Sequence, residues 1–522
     1  MDKFYITTAI AYSSKQPHIG NDYEIVYADA IARFKRQSGF DVFFLTGTDE
    51  HGQKIEEIAE SAGISPKQSA DIITNKIQNT YAGLNISFDK FIRTTDDYHV
   101  EAVKKIFVAL YENGDIYKGL YEGLYCVPCE SAVTPSQAEA GSGLCPDCGG
   151  ELREQSEEAY FLKLSKYQNQ LERFVGENPD FLIPVQRMRE MQNNFIKPGV
   201  GDLCVSRANV KWGVPVEFDP GKTVYVWIDA LSNYITALGY NPAAGGQPGL
   251  FEKYWPCDLH VIGKDITRFH SIYWPVMLWG LGVAPPKQII GHPWWLFGDE
   301  KMSKSKGNVV YSDFLIGKFG ADATRYYLLA EMPYDRDVSF SYEGFVRRYN
   351  ADLVNTLSNL VNRTLVMAEK YFDGVTPAPL CPGEFDGELK ETVIGRAKNY
   401  AASMEEYKTA EAITEILALL YRANKYIDET EPWILAKDSA EKDRLGTVLY
   451  NLLESVRIAG VLLSPIIPET SAKIFSQLAA SEKRHDSAFV FGGLKPGVRL
   501  NRAEPIFMRL DEKKILKECQ MG

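Results

Sequence analysis

The chain has 522 residues, of which 45% are hydrophobic and 24% are charged, and these proportions exclude a disordered chain or a small disulfide-linked scaffold. The chain has 57 lysines and arginines and 69 aspartates and glutamates, so its formal net charge is −12. This charge excludes a protein that binds nucleic acids through a basic surface on all sides, but it permits a local basic patch. The length predicts about three domains.

The chain has neither a run of about 18 apolar residues nor an N-terminal stretch of the signal-peptide type. We therefore expect no membrane insertion and a cytoplasmic location. Disulfides are rare in such a reducing compartment. The eight cysteines then predict a metal site where four of them cluster, and ordinary thiols where the other four are scattered.

The start of the chain predicts a strand, a helix and a second strand. Residues 4–10 are rich in aromatic and β-branched side chains, helical spacing of apolar residues runs from 21 to 37, and residues 42–45 form another short apolar run. This βαβ unit implies a parallel sheet, in which ligands bind beyond the carboxyl ends of the strands. The polar clusters at 12–22 and 46–54 fall at those ends.

Two later parts of the chain have a different composition. The segment 115–222 holds the cysteine cluster, many glycines and short mixed elements, whereas long helical apolar repeats follow residue 346. We predict an α/β fold in which a Rossmann-like domain is split by an insertion and is followed by an all-α bundle. The predicted bounds are 1–114 and 223–295 for the two halves of the split domain, 115–222 for the insertion, 296–345 for a region around a lysine-rich loop, and 346–522 for the bundle.

The run Pro17-His18-Ile19-Gly20-Asn21 lies at the first strand-to-helix turn. A helix N-terminus with a glycine lets backbone N–H groups approach an anion, and His18 and Asn21 add side-chain donors one turn apart. The run is typical of a nucleotide site, although a polar loop with a capping asparagine would give the same pattern.

The run Lys301-Met302-Ser303-Lys304-Ser305-Lys306-Gly307-Asn308 places three lysines among small hydroxyl side chains. A solvated charge run is the ordinary explanation of such a segment. Its pairing with the turn at His18 favours a cationic loop that closes over a triphosphate.

The cysteines at 126, 129, 145 and 148 form two Cys-x2-Cys pairs. This spacing is typical of a tetrahedral zinc site with four sulfur ligands and no open position, hence a structural one. Disulfides are the alternative, and they are disfavoured without an export signal.

The turn at His18 and the lysine run resemble the HIGH and KMSKS signatures of the class I aminoacyl-tRNA synthetases. The runs 7–12, 46–52, 224–234 and 260–275 are similar to the methionyl-tRNA synthetases in particular. The resemblance covers essentially the whole chain and implies the bacterial type with a four-cysteine zinc knuckle in the connective insertion. Asn21 departs from the signature, which has a second histidine there; asparagine keeps a donor but has no titratable proton.

The resemblance implies a two-step reaction. The carboxylate of L-methionine attacks the α-phosphate of ATP, and the terminal ribose of tRNA(Met) then attacks the acyl carbonyl of the adenylate. The implied cofactors are ATP, Mg²⁺ and one structural Zn²⁺. The implied partners are L-methionine, ATP and tRNA(Met), without DNA or membrane, and we expect a monomer. Region 296–345 would hold the lysine loop and contact the tRNA stem, and the bundle would bind the anticodon.

The resemblance also implies individual site residues. The predicted catalytic residues are His18, Asn21, Lys301 and Lys304. The predicted ATP-binding residues are His18, Gly20, Asn21, Gly263, Lys264, Asp265, Lys301, Met302, Ser303, Lys304 and Ser305. The predicted methionine-binding residues are Ile10, Tyr12, Asp49, Trp227, Ala230, Leu231, Tyr234, Ile266, His270 and Trp274. The predicted zinc ligands are Cys126, Cys129, Cys145 and Cys148. The predicted anticodon-binding residues are Asn359, Arg363 and Trp433.

These assignments agree with the chemistry of the side chains. Asp49 and the Ile10 carbonyl suit an ammonium group, and aromatic side chains suit a thioether, which forms few hydrogen bonds and must be selected by shape. Core packing is the alternative for each aromatic residue and for His270. The indole of Trp433 would stack on an unpaired base, with Asn359 and Arg363 reading base edges. Without the resemblance, Trp433 would be assigned to the core.

Three other functions fit parts of the sequence. A small-molecule nucleotidyltransferase has a similar first turn but lacks the insertion and the bundle. A synthetase for leucine, isoleucine or valine carries a much larger editing insertion than 115–222 allows. A zinc-ribbon RNA-binding factor needs neither the lysine run nor the polar first turn. ATP–pyrophosphate exchange with a panel of amino acids separates these alternatives.

Overall fold

The computed structural model describes residues 2–126, 131–133, 138–139, 143–145, 149–208, 210–244, 249–298, 300–302, 308–481, 484–501 and 504–519. Layers of helices surround a parallel sheet in the N-terminal part, and a bundle of helices forms the C-terminal part. Both features confirm the fold class predicted from the sequence.

The strands are β1 Lys3–Thr8, β2 Ala11–Tyr12, β3 Asp41–Asp49, β4 Lys90–Arg93, β5 Ile116–Cys126, β6 Ser131–Val133, β7 Leu152–Leu162, β8 Leu182–Ile183, β9 Leu203–Cys204, β10 Ser206–Arg207, β11 Pro215–Val216, β12 Asp219–Val224, β13 Leu259–Gly263, β14 Ile289–His292, β15 Trp295–Phe297, β16 Glu300–Lys301 and β17 Val338–Phe340. The main sheet has the order β2-β3-β1-β13-β14-β8, with β4 beside β3. Every neighbouring pair in it is parallel. Both faces of such a sheet are covered, which explains why its strands are continuous apolar runs.

The centre of the main sheet joins segments that are distant in the chain. β1 pairs with β13, so that Ile6 lies opposite Leu259. At the far edge β8 pairs with β14, with Leu182 opposite Ile289. The segment 115–222, which was expected to be an insertion, therefore also contributes the edge strand β8 to the main sheet. A strand of two residues is too short to be predicted from the sequence.

Three smaller sheets lie outside the main one. β6, β5, β7 and β9 form an antiparallel sheet, in which Ile116 of β5 lies opposite Leu162 of β7. A second sheet has the order β10-β12-β11 and a third has the order β16-β15-β17. The third sheet positions Lys301, because β16 pairs with β15 directly before the lysine run.

The helices are α1 Ile19–Gln37, α2 Gln53–Ala62, α3 Pro66–Gly83, α4 Asp97–Glu112, α5 Gln168–Glu177, α6 Val185–Met191, α7 Val226–Thr236, α8 Gly249–Tyr254, α9 Trp274–Gly280, α10 Ser312–Phe319, α11 Ala321–Glu331, α12 Tyr342–Arg348, α13 Asn359–Phe372, α14 Asp386–Glu405, α15 Thr409–Thr430, α16 Pro432–Leu435, α17 Lys442–Leu463, α18 Pro468–Gln477 and α19 Glu512–Cys519. Helix α1 begins two residues before the predicted start at Asn21, because His18 caps it. Its apolar positions Ile25, Ala28, Ile31 and Phe34 are buried, as their spacing predicts.

Helix α17, extended by the short turn before it to Ser439–Leu463, is long and apolar enough by composition to cross a membrane. All of that apolar window is buried inside the protein. Its neighbours in the bundle, α14, α15 and α18, cover it. We therefore interpret it as the central core helix of the bundle.

Arg325 joins the bundle to the helices that flank the main sheet. Its guanidinium group is fully buried and lies 2.7 Å from the Asp29 carboxylate of α1. The same group donates to the backbone carbonyls of Pro465 and Ile466 in the bundle and of Leu84 after α3. Each of the three guanidinium nitrogens thus has an acceptor, and these bonds fix the bundle relative to the helix that follows the first turn.

Candidate active site

The carboxyl ends of β1, β3, β13 and β14 meet at one edge of the main sheet. The polar clusters that the sequence placed after strands lie along this edge. Strand β2 returns beside β3, and its register sets Tyr12 opposite Asp49. Two of the predicted methionine contacts, 37 residues apart in the chain, are thus adjacent across one strand pair.

The turn at His18 is a reciprocal helix cap. The Gly20 N–H donates to Nδ1 of His18 over 3.1 Å, and the His18 N–H donates to Oδ1 of Asn21 over 3.3 Å. Because Nδ1 accepts a hydrogen bond, the imidazole proton of neutral His18 lies on Nε2. The cap therefore does not use the Nε2–H group of His18, which can act as a donor. It also does not use the side-chain N–H₂ group of Asn21, because only the oxygen of that amide takes part in the cap.

Two glycines leave space beside this edge. A Cβ atom at Gly20 would lie 2.9 Å from Cε1 of His18, and a Cβ atom at Gly263 would lie 2.6 Å from Oδ1 of Asp265. Both distances are shorter than real contacts, so a side chain at either position would require the His18 or Asp265 side chain to move. Glycine there also allows a ligand to approach the backbone closely.

The structure gives Lys264 a partner that the sequence did not indicate. Its Nζ lies 2.6 Å and 2.8 Å from the two carboxylate oxygens of Asp337, and it also lies over the ring of Trp294 at 4.2 Å. Asp265 is exposed, and its Oδ1 accepts from the Trp294 indole over 3.3 Å. Lys264 is thus held against the third sheet, which restricts how it could reach a nucleotide.

The lysine run lies only partly within the described residues. The backbone of Lys301 belongs to β16, and Met302 is 3% exposed and packs in the main apolar core. Ser303, Lys304 and Ser305 lie outside the described residues. Met302 therefore anchors the start of the run by burial.

Helix α7 and the segment after β13 form an aromatic cluster, which is the candidate methionine pocket. Trp227 is stacked on Phe269, with centroids 3.7 Å apart and planes at 10°. Tyr234 and Trp274 are buried, with ring centroids 5.8 Å apart. Ala230 and Leu231 on α7 are also buried, and Ile10 and Ile266 lie at the partly exposed rim. The structure thus brings the predicted aliphatic and aromatic contacts together, and it adds Phe269, which the sequence analysis did not single out.

His270 is fully hydrogen-bonded within this pocket. Its Nδ1 lies 3.0 Å from the Ile266 carbonyl, which only accepts, so Nδ1 carries the proton and Nε2 accepts from the Tyr234 hydroxyl at 2.7 Å. Burial lowers the pKa of His270 to about 4. The ring is therefore neutral at pH 7, and it contributes shape and a fixed Tyr234 orientation.

A buried carboxylate that the sequence analysis missed lies behind the pocket. Asp229 of α7 accepts from Nδ1 of His51 at 2.7 Å and from Nε2 of His99 at 2.8 Å. Burial by itself would raise the pKa of Asp229, but the charge and hydrogen bonds of the two histidines outweigh it and lower the pKa to about 2. The cluster fixes α7, which carries Trp227 and Tyr234, against the end of β3. A charged residue inside an otherwise apolar helix was the signal that could have revealed it.

We expect the parent protein to have a higher free energy of unfolding than the Asp229→Asn variant at neutral pH. This difference between the two proteins should become smaller as the pH falls. A carboxyl group whose pKa is lowered by folding stabilises the protein above its unfolded pKa, near 4, and that contribution disappears as the pH falls through the folded value. The parent therefore loses about 2 kcal/mol between pH 5 and pH 2, and the variant loses none of it. Denaturant unfolding of both proteins across that range measures the effect. A difference that stays constant with pH would contradict the charged state of Asp229.

Glu24 and His292 form a second pair that the sequence did not indicate. Nδ1 of His292 lies 2.7 Å from the Pro293 carbonyl and must donate to it. Nε2 of the same ring lies 3.1 Å from Oε2 of Glu24. Burial raises the pKa of Glu24. The carboxyl group of Glu24 and the ring of His292 are thus hydrogen-bonded to each other at the carboxyl end of β14.

The bundle places the predicted anticodon residues on its surface. Asn359 is exposed at the start of α13, and Arg363 lies one turn later, 4.0 Å from Asp428 of α15. Trp433 is 40% exposed in the short helix α16, after Glu431 turns the chain with a positive φ of 41°. Trp433 is therefore not the core residue that its type alone suggests.

Two of the predicted zinc ligands are described, one from each pair. Cys126 and Cys145 are buried in the same small cluster with Val133 and Ala138. Cys129 and Cys148 lie outside the described residues. Within the described ranges no group of three or more metal-binding side chains occurs. Cys126 belongs to the first Cys-x2-Cys pair and Cys145 to the second, and both thiols lie in the same cluster. This arrangement fits a metal site that takes sulfur ligands from both pairs.

Comparisons with known protein families divide the chain in two. Residues 4–157 and 151–365 match the family model described as tRNA synthetases class I (M). Residues 376–519 match the model described as the anticodon binding domain of methionyl tRNA ligase. The first model covers the main sheet and the aromatic pocket, and the second covers most of the bundle.

Similar proteins agree with these models over nearly the whole chain. The methionine–tRNA ligase of Clostridium tetani is 53% identical over 515 residues, which are 99% of this chain and 80% of that protein. The methionine–tRNA ligase of Bacillus subtilis is 47% identical over 97% of this chain and 78% of its own length. A structure of Mycobacterium tuberculosis methionyl-tRNA synthetase in complex with methionyl-adenylate has a TM-score of 0.93 at 40% identity, covering 98% of this chain and 100% of that one.

Proposed function

Since this chain belongs to the class I methionyl-tRNA synthetase family, we infer that it is a methionine–tRNA ligase. It activates L-methionine with ATP to methionyl-adenylate, releasing pyrophosphate, and transfers the methionyl group to the 3′ end of tRNA(Met), releasing AMP. The observation that carries this inference is the match to methionine–tRNA ligases over nearly the whole chain. The capped turn at His18 and the segment with Phe269 and His270 both follow carboxyl ends of strands in the main sheet, as this function requires.

The test of the function is ATP–pyrophosphate exchange with a panel of amino acids. Methionine should support exchange, and leucine, isoleucine and valine should support little. Exchange that depends on one of those three, or none with any amino acid, would contradict the assignment.

For the first step, we propose that the protein works by positioning groups and stabilising phosphate charge. Nε2–H of His18 and the amide of Asn21 would donate to the phosphates, and Lys301 and Lys304 would neutralise them. The backbone at Gly20 and Gly263 would line the nucleotide. Mg²⁺ would accompany ATP and supply further positive charge. Lys264 is held by Asp337, so its contribution would be to shape this wall, together with Asp265.

The methionine site is proposed from the same edge. Asp49 and the Ile10 carbonyl would hold the ammonium group, with Tyr12 adjacent to Asp49. The stacked Trp227, the buried Tyr234 and Trp274, and the neutral His270 would surround the side chain. A pocket whose polar atoms bond to one another selects a thioether by shape and by contact between sulfur and aromatic rings.

We propose that Cys126, Cys129, Cys145 and Cys148 bind one structural zinc ion. Metal analysis should give about one equivalent of zinc per chain, because four thiolates close one tetrahedral site. Cys145→Ser should lower the zinc content, and Cys381→Ser, at an exposed and isolated cysteine, should leave it unchanged. Metal-free protein with full activity would contradict the site.

Trp433→Ala should raise the KM for tRNA(Met) and leave ATP–pyrophosphate exchange intact. One lost base–aromatic stack costs about 1–3 kcal/mol, and the bundle takes no part in the first step. Ile434→Ala is the matched control, because Ile434 is equally exposed in the same helix but has no π face. Equal losses in aminoacylation and in exchange would show that Trp433 has a structural role instead.

The domain bounds, the monomeric state and the cytoplasmic location expected from the sequence stay predictions. The curated relatives are longer than this chain, which spans 80% of the Clostridium tetani protein.

A further inference from the structure

We propose that His260 is a positioning residue for methionine selection, acting through Trp274 and Tyr234 on the wall of the methionine pocket. His260 is the second residue of β13 and is fully buried. His260 is not among the residues predicted to contact methionine or ATP. The proposal rests on the function inferred above, because it concerns the pocket assigned to methionine.

The hydrogen bonds of His260 define its protonation. The indole N–H of Trp274 lies 3.2 Å from Nε2 of His260 and can only donate. Nε2 must therefore be unprotonated, and the proton lies on Nδ1, which is 2.7 Å from Oγ1 of Thr7. His260 thus connects the central strand β1 to the indole that forms part of the pocket wall.

The ring of His260 also supports the second aromatic wall. The ring centroid of Tyr234 lies 4.2 Å from that of His260, and the Tyr234 hydroxyl donates to His270. Two histidines therefore act in the same way: Nε2 of His260 accepts from Trp274, and Nε2 of His270 accepts from Tyr234. Both donors of the aromatic wall are satisfied inside the protein, which keeps their rings in one orientation toward the substrate.

The surroundings of His260 keep it neutral. Burial, together with the nearby His270, lowers the pKa of His260 well below its ordinary value. The thiol of Cys257 lies 3.6 Å from Nδ1 and also points to the Tyr5 carbonyl at 3.2 Å. An imidazolium at this position would lose the Nε2 acceptor, so the neutral form is the one that can hold Trp274.

The experiment compares three substitutions by ATP–pyrophosphate exchange. His260→Leu leaves the Trp274 N–H without an acceptor, and we expect the KM for methionine to rise about 10- to 100-fold while the KM for ATP stays unchanged. His260→Gln should restore most of the affinity, because its amide oxygen can occupy the place of Nε2. His260→Asn should resemble His260→Leu, because its shorter side chain reaches only the place of Nδ1.

Trp255→Phe is the matched control. It removes an indole N–H from the same aromatic cluster, but that N–H donates to the Ala284 carbonyl and not to His260. The KM for methionine should not change in this variant. A double-mutant cycle with His260→Leu and Trp274→Phe should give non-additive effects, because the second substitution removes the donor that His260 accepts.

The outcomes separate this proposal from the function it rests on. A parent enzyme without methionine-dependent exchange would overturn the function itself. An active parent with an unchanged KM for methionine in His260→Leu, or equal increases in the KM for methionine in the glutamine and asparagine variants, would overturn the positioning role. Equal losses for methionine and ATP would identify His260 as a residue of general stability and would also overturn the proposal.

Discussion

Replacing Lys304 with alanine is expected to slow methionyl-adenylate formation at least about 100-fold, which is the scale for the loss of one donor that acts on developing charge. The lysine would face the phosphates of ATP, so the affinity for methionine should change little. Single-turnover formation of the adenylate measures the chemical step, and equilibrium binding of methionine measures the ground state.

Lys306→Ala is the matched control for Lys304→Ala, because the two lysines are two residues apart in the same run and only Lys304 is predicted to contact ATP. The control should retain most of the rate. If methionine binding collapsed in Lys304→Ala while the chemical step survived, the assigned role would be wrong.

Replacing His18 is expected to lower the rate of the first step by about 100- to 1,000-fold, because its Nε2–H would donate to phosphate oxygens as they gain charge. The structure shows that Nδ1 of His18 caps α1 by accepting from Gly20, so the proposed phosphate contact would be a second role for this side chain. A simple alanine variant would lose both roles at once.

His18→Asn separates the two roles. Asparagine is a favourable N-cap and places its side-chain oxygen where Nδ1 of histidine lies, so the helix cap should be kept. The donor on Nε2 is lost, and we expect the exchange rate to fall nearly as far as in His18→Ala, with the midpoint of thermal unfolding close to that of the parent. An asparagine variant with normal exchange would mean that His18 acts only as a cap.

The features that the sequence predicted correctly depend on residues close together in the chain. The βαβ unit follows from the spacing of apolar side chains over one or two turns. The cap that joins His18 to Asn21 is also local, but the sequence indicated only a capping asparagine and not the part that His18 plays. The HIGH-like turn and the lysine run were recognised in the same way, as short patterns whose pairing indicated the family. The helical character of the bundle likewise follows from local repeats such as Leu445, Val448, Leu449 and Leu452.

The features that only the tertiary structure decided depend on partners that are distant in the chain. Lys264 was expected at the nucleotide, but its partner Asp337 lies 73 residues later. Sequence spacing carries no information about such a neighbour, and the ion pair forms only because the third sheet packs beside the end of β13.

The protonation states of the pocket residues were also decided only by the tertiary structure. By itself the sequence indicated the family and the α/β architecture, because short motifs and local periodicity specify those. Only the folded chain decided that Asp229 lies between His51 and His99, 178 and 130 residues away. Protonation states depend on burial and on the nearest charges, and both exist only after the distant segments have packed together.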